Sequence, residues 1–406
     1  MGVEFKSSKK IANIPEALSI YINQLVYSEK RKGIDVITLS LGEAFFDIPN
    51  YSFDEINFVQ GYHYSDSMGI PELRKRILDY YNNNYNAKIP NISNIMISSG
   101  SKAIIYMIMQ STLNVGDEVL IHEPAWLSYR EQVKLVGAIP QFIPYDCEFT
   151  KITDYLTEKT KLLVLNNPNN PSGRIYSSKQ LEKIYIDCYK RGIYILMDEA
   201  YSDFIEEKND FCSLASVAKN LDGVFIVNSL SKNMGMSGWR IGYVIANEDK
   251  ITNLLKLNQH IITCAPTILQ LYIAHYFEDI INVTLPQIKE VVQKRKRIIA
   301  YMDFIGLKYM EGISTFYIFV KMEGLKSNTL DFCLYLLFKY GISTVPGDAY
   351  GMSTNDFIRI SIGTESEERI KYSLDIIKSV LNKNLTDKVY VAKKLENNGF
   401  HRFGGK

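Results

Sequence analysis

Apolar and polar positions follow two rhythms along this chain, and the rhythms take turns. Short apolar runs at Val36 to Leu39, Asn94 to Ser98, Glu118 to Ile121, Lys161 to Asn166, Tyr194 to Asp198, Val224 to Asn228 and Ile241 to Ala246 have the length of strands. Most are separated by stretches with apolar residues at helical spacing, such as Ser178 to Arg191. Residues 14–32 carry the same spacing and end at Gly33. Pro71 stands where a first helical turn tolerates proline, which predicts a helix from there to about Tyr85, and a second apolar helix runs from Ala103 to Leu113. Buried strands alternating with helices predict an α/β fold whose mostly parallel sheet is covered on both faces.

The last third changes character. Helical patterns over 265–281 and 284–304 lead to a strand at 315–322, a helix at 328–340, strands near 342–345 and 357–361, and a final helix from 365 to about 382. These predict a smaller α+β domain. The expected division is an N-terminal segment, 1–45, that belongs to the small domain, a large domain at 46–300, the C-terminal small domain at 301–382, and a polar, weakly ordered tail at 383–406.

A length of 406 residues allows two domains, and 46% hydrophobic with 22% charged residues is ordinary for a soluble globular protein. The net charge of +1 provides no field for nucleic acid or an anionic membrane. The N-terminus is charged and has no apolar stretch of signal-peptide type, and no run of about 18 apolar residues occurs, so neither a signal peptide nor a membrane span is expected. The five cysteines lie far apart without a C-x-x-C pair, which suits reduced thiols and a cytoplasmic location. The five histidines fall in no ligand spacing, so no metal site is expected.

Candidate chemistry centres on Ser229 to Arg240, which follows the apolar run Val224 to Val227. Lys232 sits there among small residues and glycines, with a hydroxyl three positions before it and an arginine eight after. Glycines let backbone approach closely, and Ser229 and Arg240 could grip a phosphate. A desolvated amine beside cations is suited to imine formation. Asp198 lies at the end of an apolar strand, where an acid is costly to bury without a cationic partner. Asn170 lies in a stiff loop of prolines, asparagines and glycine, Asn167 to Gly173. Ser99-Gly100-Ser101-Lys102 joins a strand to a helix N-terminus, an arrangement that holds anions. Taken singly, each segment reads equally as a turn, an ordinary strand-to-helix connection or a lysine in water.

Together and in this order, the segments resemble the class I aminotransferase branch of the fold type I pyridoxal-5'-phosphate enzymes. The resemblance runs from about residue 8 to about residue 382. It rests on Leu41-Gly42-Glu43, Tyr64 with Gly69-Ile70-Pro71-Glu72-Leu73-Arg74, Ser99 to Lys102, Glu123-Pro124-Ala125-Trp126, Asn167 to Gly173, Asp198-Glu199-Ala200-Tyr201, Ser229 to Arg240, and Phe357-Ile358-Arg359-Ile360-Ser361. It implies a three-layer α/β/α domain with a seven-stranded sheet, and pyridoxal 5'-phosphate as cofactor. Lys232 would hold the cofactor as an internal aldimine and move the proton, and Asp198 would pair with the pyridine nitrogen. Asn170 and Tyr201 would bond the ring hydroxyl, and Trp126 would stack on the ring. Ser229, Arg240 and the backbone at Ser101 and Lys102 would hold the phosphate. Arg359, helped by Gly42 and Asn170, would grip the substrate α-carboxylate, and its neighbours Ile358 and Ile360 suggest that it points away from the core face. Tyr64 would reach the phosphate of a neighbouring subunit in a homodimer.

The implied activity is transfer of an amino group from an L-amino acid to a 2-oxo acid by a ping-pong mechanism. Another reaction on the same scaffold, such as C–S β-elimination, cyclisation or decarboxylation, is the alternative. A ligand-sensing regulator is disfavoured, because only some 13 residues precede the first helix and the charge is balanced. Three features bear on the amino donor. Ala44-Phe45, followed by Phe46, stands where many relatives have Pro-Asp, and suits an apolar side chain. Lys102 resembles a lysine of aspartate-selective relatives, but the hydroxyl residues that accompany it there are Glu16 and Leu18 here.

Overall fold

The computed structural model describes residues 5, 7–12 and 14–404. In chain order its strands are β1 (Ile37–Thr38), β2 (Ile95–Ser98), β3 (Glu118–His122), β4 (Ile139–Ile143), β5 (Thr160–Asn166), β6 (Tyr194–Asp198), β7 (Val224–Ser229), β8 (Gly242–Ala246), β9 (Tyr317–Lys321), β10 (Ile342–Ser343), β11 (Val345–Pro346) and β12 (Phe357–Ser361). The helices are α1 (Lys9–Ala12), α2 (Leu18–Arg31), α3 (Pro71–Tyr85), α4 (Ser101–Thr112), α5 (Ser128–Val136), α6 (Ser178–Lys190), α7 (Leu230–Asn233), α8 (Glu248–Ile261), α9 (Thr267–His275), α10 (Phe277–Ile305), α11 (Thr329–Tyr340), α12 (Glu367–Lys383) and α13 (Lys388–Asn397).

A seven-stranded sheet in the order β2-β8-β7-β6-β5-β3-β4 forms the centre of the larger part. Only β8 runs against its neighbours. Along β7 the side chains alternate, with Val224 and Ile226 in the core on one face and Phe225 and Val227 in the core on the other. Apolar residues at every position are what a sheet covered on both faces requires. The three-layer α/β/α expectation therefore holds. One strand, β4, escapes the pattern of apolar runs. It is an edge strand with alternating exposure, and Pro140 is tolerated there because only one side of the strand pairs with the sheet.

The smaller part holds an antiparallel sheet, β11-β12-β9, and the parallel pair β1-β10, packed with α2, α11 and α12 into a separate core. The apolar stretch near 342–345 is two strands, not one: β10 pairs with β1, while β11 pairs with β12. Helix α10 departs most from expectation. Its 29 residues run through Pro286 without a break, and the interruption falls instead at Tyr276. Ile280 and Ile281 belong to the larger core and Ile288, Val292, Ile298 and Met302 to the smaller, so this one helix joins the two and the expected boundary at 300 lies inside it. The C-terminal residues expected to be weakly ordered form α13, which buries Val391 and Leu395. Tyr390 donates to the Phe338 carbonyl at 2.9 Å, and Arg402 pairs with the buried Asp331 at 2.7 Å. Two leucine- and valine-sized anchors spaced four apart are too weak a pattern to stand out in a polar stretch.

Candidate active site

Strand register brings the candidate residues together. Asn166 at the end of β5 lies opposite Asp198 at the end of β6, and Ser229 at the end of β7 lies opposite Gly242, which in turn faces Ser98 of β2. The carboxyl ends of β2, β5, β6 and β7, with the amino end of the antiparallel β8, form one rim, where open α/β sheets place ligands. Beyond the rim opens a cavity of about 320 Å³, lined on the sheet side by Ser101, Trp126, Asp198 and Lys232 and on the other by Gly42 and Arg359.

Lys232 is carried on α7, a single turn capped by Ser229, whose Oγ accepts the Ser231 N–H at 3.1 Å. Its Nζ donates to the Gly42 carbonyl at 2.6 Å and stands 5.8 Å from the centre of the Tyr201 ring. Asp198 is only 7% exposed, and burial raises its pKa. Tyr129 donates to one carboxylate oxygen at 2.6 Å, the Ala200 N–H to the other at 3.1 Å, and Lys232 adds a nearby positive charge. These three favour the anion against the burial.

Asn170 is held by its own N–H, which donates to Asn166 Oδ1 at 2.6 Å, and its Nδ2 reaches the Tyr201 hydroxyl at 3.3 Å. The Tyr201 and Tyr317 hydroxyls are 3.1 Å apart, which ties β9 of the smaller part to the larger. Arg359, on β12, lies with its guanidinium 4.4 Å from the centre of the Tyr317 ring. It is 4% exposed, yet incompletely bonded. Nη2 donates to the Ser40 carbonyl at 2.7 Å, Nη1 comes no nearer than 3.5 Å to Asn170 Oδ1, and Nε has no partner among the described residues. A buried guanidinium with free donors is the feature that a carboxylate, binding two N–H groups at once, completes.

The opposite end of the cavity suits a phosphate. Arg240 adopts a left-handed backbone, φ 58°, and its Nη1 donates to the Ser237 carbonyl at 2.5 Å. A Cβ on Gly100 would lie 2.7 Å from Arg240 Nη2, and one on Gly242 would lie 2.4 Å from the Ser101 backbone nitrogen. Two missing side chains thus let the arginine and the first turn of α4 converge, where the leading N–H groups have no helical acceptor. The Ser229 and Ser231 hydroxyls, 2.7 Å apart, line the same end. Lys102 stands at the mouth with Nζ 5.0 Å from the centre of the Trp126 ring, and its surroundings and Arg240 lower its pKa.

Of the residues given a cofactor or carboxylate role from the sequence, Tyr64 alone lies outside the cavity lining: it is 85% exposed, in a stretch where Phe58, Val59 and Tyr62 are exposed too. Ala44, Phe45 and Phe46, read as bearing on the amino donor, do not line the cavity either. Sequence reasoning missed Tyr129, Tyr317, Asn166 and Ser231. Tyr129 has a weak signal, three positions after Trp126 on the next helical turn, and its ring meets the Trp126 ring edge-on at 5.3 Å. Tyr317 has none, because it arrives on a strand from the smaller part.

The donor set fits pyridoxal 5'-phosphate: an amine, a buried acid, hydroxyl and amide groups between them, and a cradle of glycine, serine and arginine at one end. Fold and cavity together define a fold type I pyridoxal-phosphate site. The chain belongs to the aminotransferase class I and II family, whose model matches residues 55–377. It is a pyridoxal-phosphate-dependent aminotransferase. It is 33% identical over 383 residues to the (5-formylfuran-3-yl)methyl phosphate transaminase of Methanocaldococcus jannaschii, covering 93% of this chain and 100% of the relative. It is 30% identical to an aspartate aminotransferase of Thermotoga maritima, covering 92% and 99%. A solved Methanococcus jannaschii structure, described as similar in its active site to kynurenine aminotransferases, superimposes with a TM-score of 0.80 at 31% identity, covering 93% and 100%.

Proposed function

We propose that Lys232 is the cofactor lysine of an enzyme that passes the amino group of an L-amino acid to a 2-oxo acid in two half-reactions. One observation carries the reading: the Lys232 amine and the open guanidinium of Arg359 face the same cavity, with buried Asp198 in its wall. When bound, the cofactor supplies an aldehyde for the amine and a ring that takes up electrons. Asp198, with Tyr129 behind it, would face the ring nitrogen. Asn170 and Tyr201 would hold the ring hydroxyl, Trp126 would stack on the ring, and Ser229, Arg240 and the N–H groups at Ser101 and Lys102 would hold the phosphate. Arg359 fixes the substrate carboxylate, so that the α-proton lies within reach of Lys232 Nζ, which takes it and returns it.

The exposed stretch around Tyr64 supports a two-fold dimer in which Tyr64 of each subunit completes the other's phosphate site. No described helix is long and apolar enough to cross a membrane, and five unpaired cysteines fit a cytoplasmic setting. The test is stopped-flow absorbance of the purified enzyme against a panel of amino acids. Loss of the lysine-bound cofactor band, its recovery on adding a 2-oxo acid, and its absence in Lys232→Ala are expected. Release of pyruvate and ammonia from a cysteine conjugate, with no aminated cofactor, would overturn amino transfer.

A further inference from the structure

A second cavity, of about 460 Å³, adjoins the catalytic one. Three stretches of chain contribute to both. Lys102 lines each, Ser19 faces the catalytic cavity while Leu18 faces the second, and Trp126 faces the first while Leu127 faces the second. The two spaces therefore adjoin at the mouth, with Lys102 common to both.

Part of the second cavity's wall is apolar: Ile14, Leu127, Leu135 and Leu330, with Phe403 of the C-terminal segment. That segment is fixed in place, since the His401 carbonyl accepts the Tyr21 hydroxyl at 2.6 Å and the Phe403 ring lies 5.4 Å from the Tyr21 ring. One polar group stands out. Gln132 is 8% exposed, its Nε2 donates to the Lys102 carbonyl at 2.9 Å, and its Oε1 has no partner among the described residues. A buried amide oxygen without a donor is costly, and a ligand N–H relieves it. Asp348 adds a second acceptor, and acids outnumber bases, with Glu16, Glu131 and Asp348 against Lys102 and Arg130. Glu131 is paired with Arg130 at 2.7 Å and with Lys134 at 3.1 Å, which leaves Glu16 and Asp348 against Lys102. Such a space disfavours a second carboxylate or a phosphate and favours a large ring bearing an N–H.

We propose that this cavity receives the side chain of the amino-acid substrate, and that the side chain is a large aromatic ring carrying an N–H donor for Gln132 Oε1. The inference rests on the proposed function, because Arg359 must hold the other end of the same molecule.

The test is calorimetric binding of unreactive acids to the cofactor-loaded enzyme: indole-3-propionate, 3-phenylpropionate, glutarate and 3-phosphonopropionate. Indole-3-propionate should bind best, about tenfold better than 3-phenylpropionate, the factor one hydrogen bond to a buried partner provides. Gln132→Met should abolish that preference and leave 3-phenylpropionate within about twofold. Leu135→Trp, which fills the cavity without touching the amide, should weaken both aromatic acids at least about tenfold and glutarate hardly at all. Tighter binding of glutarate or 3-phosphonopropionate, or aromatic binding that both variants leave unchanged, overturns the proposal while amino transfer stands. Failure of Arg359→Ala to weaken any of the acids overturns the reading beneath it as well.

Discussion

At the scale of the residue, what distinguishes this site is how its charges are buried. Burial raises the Asp198 carboxyl and three neighbours, Tyr129, Ala200 and Lys232, oppose it, whereas the next residue, Glu199, points the other way into the core. There it accepts the Leu214 N–H at 2.9 Å and the Ser213 and Tyr81 hydroxyls, and burial still pushes its carboxyl up to about 8. Between the ordinary value of 4.5 and about 8, the folded protein therefore holds a proton that the unfolded chain has released. Stability from this group is full at low pH and is lost as pH rises through that window. Glu199→Gln should flatten the fall, read as urea-unfolding free energies at intervals from pH 5 to 8. The adjacency of an acid for the site and an acid for the core was legible as Asp198-Glu199-Ala200-Tyr201, but the separate fates of the two carboxylates were not. They follow from strand geometry, in which successive side chains leave opposite faces.

At the scale of the element, the phosphate end depends on two backbones in contact. Gly242 begins β8 directly beneath the first turn of α4, and a Cβ there would meet the Gly100 carbonyl carbon at 2.7 Å as well as the Ser101 nitrogen. Both obstacles are main chain, so neither can swing aside. Gly242→Ala should cost about 1–3 kcal/mol of stability. It should also weaken cofactor binding, measured by fluorescence titration of the apoenzyme with pyridoxal 5'-phosphate. The same mutation at Gly192 or Gly223, where a Cβ meets nothing within 4 Å, strains only the local φ and should leave cofactor affinity alone. Elements were legible where a single cause fixed them. Helix α3 begins at Pro71 and ends before a left-handed Asn86, and both ends are local events. Elements whose limits depend on neighbours were not: β4 pairs only because β3 lies beside it, and α10 continues through Pro286 with its two ends packed in different cores.

At the scale of the whole molecule, the catalytic cavity is built from both parts, with Asp198 and Lys232 from the larger and Tyr317 and Arg359 from the smaller. If Tyr64 completes the neighbouring subunit's site, unfolding and reassembling Lys232→Ala with Tyr64→Ala should restore one intact site per mixed dimer. The mixture should then exceed the activity of either parent, and a mixture no better than its components would rule out shared sites. The order of short apolar runs and helical stretches already implied a mostly parallel sheet clothed in helices, and the motifs around Lys232, Asp198, Asn170 and Arg359 already carried the resemblance that implied pyridoxal-phosphate chemistry, because both are written in local patterns. Tyr129 behind Asp198, Tyr317 beneath Arg359, the helical C-terminus and the cavity closed by Phe403 were settled only by folding. Each is a contact between segments remote in sequence, and no local periodicity records which remote surfaces will meet.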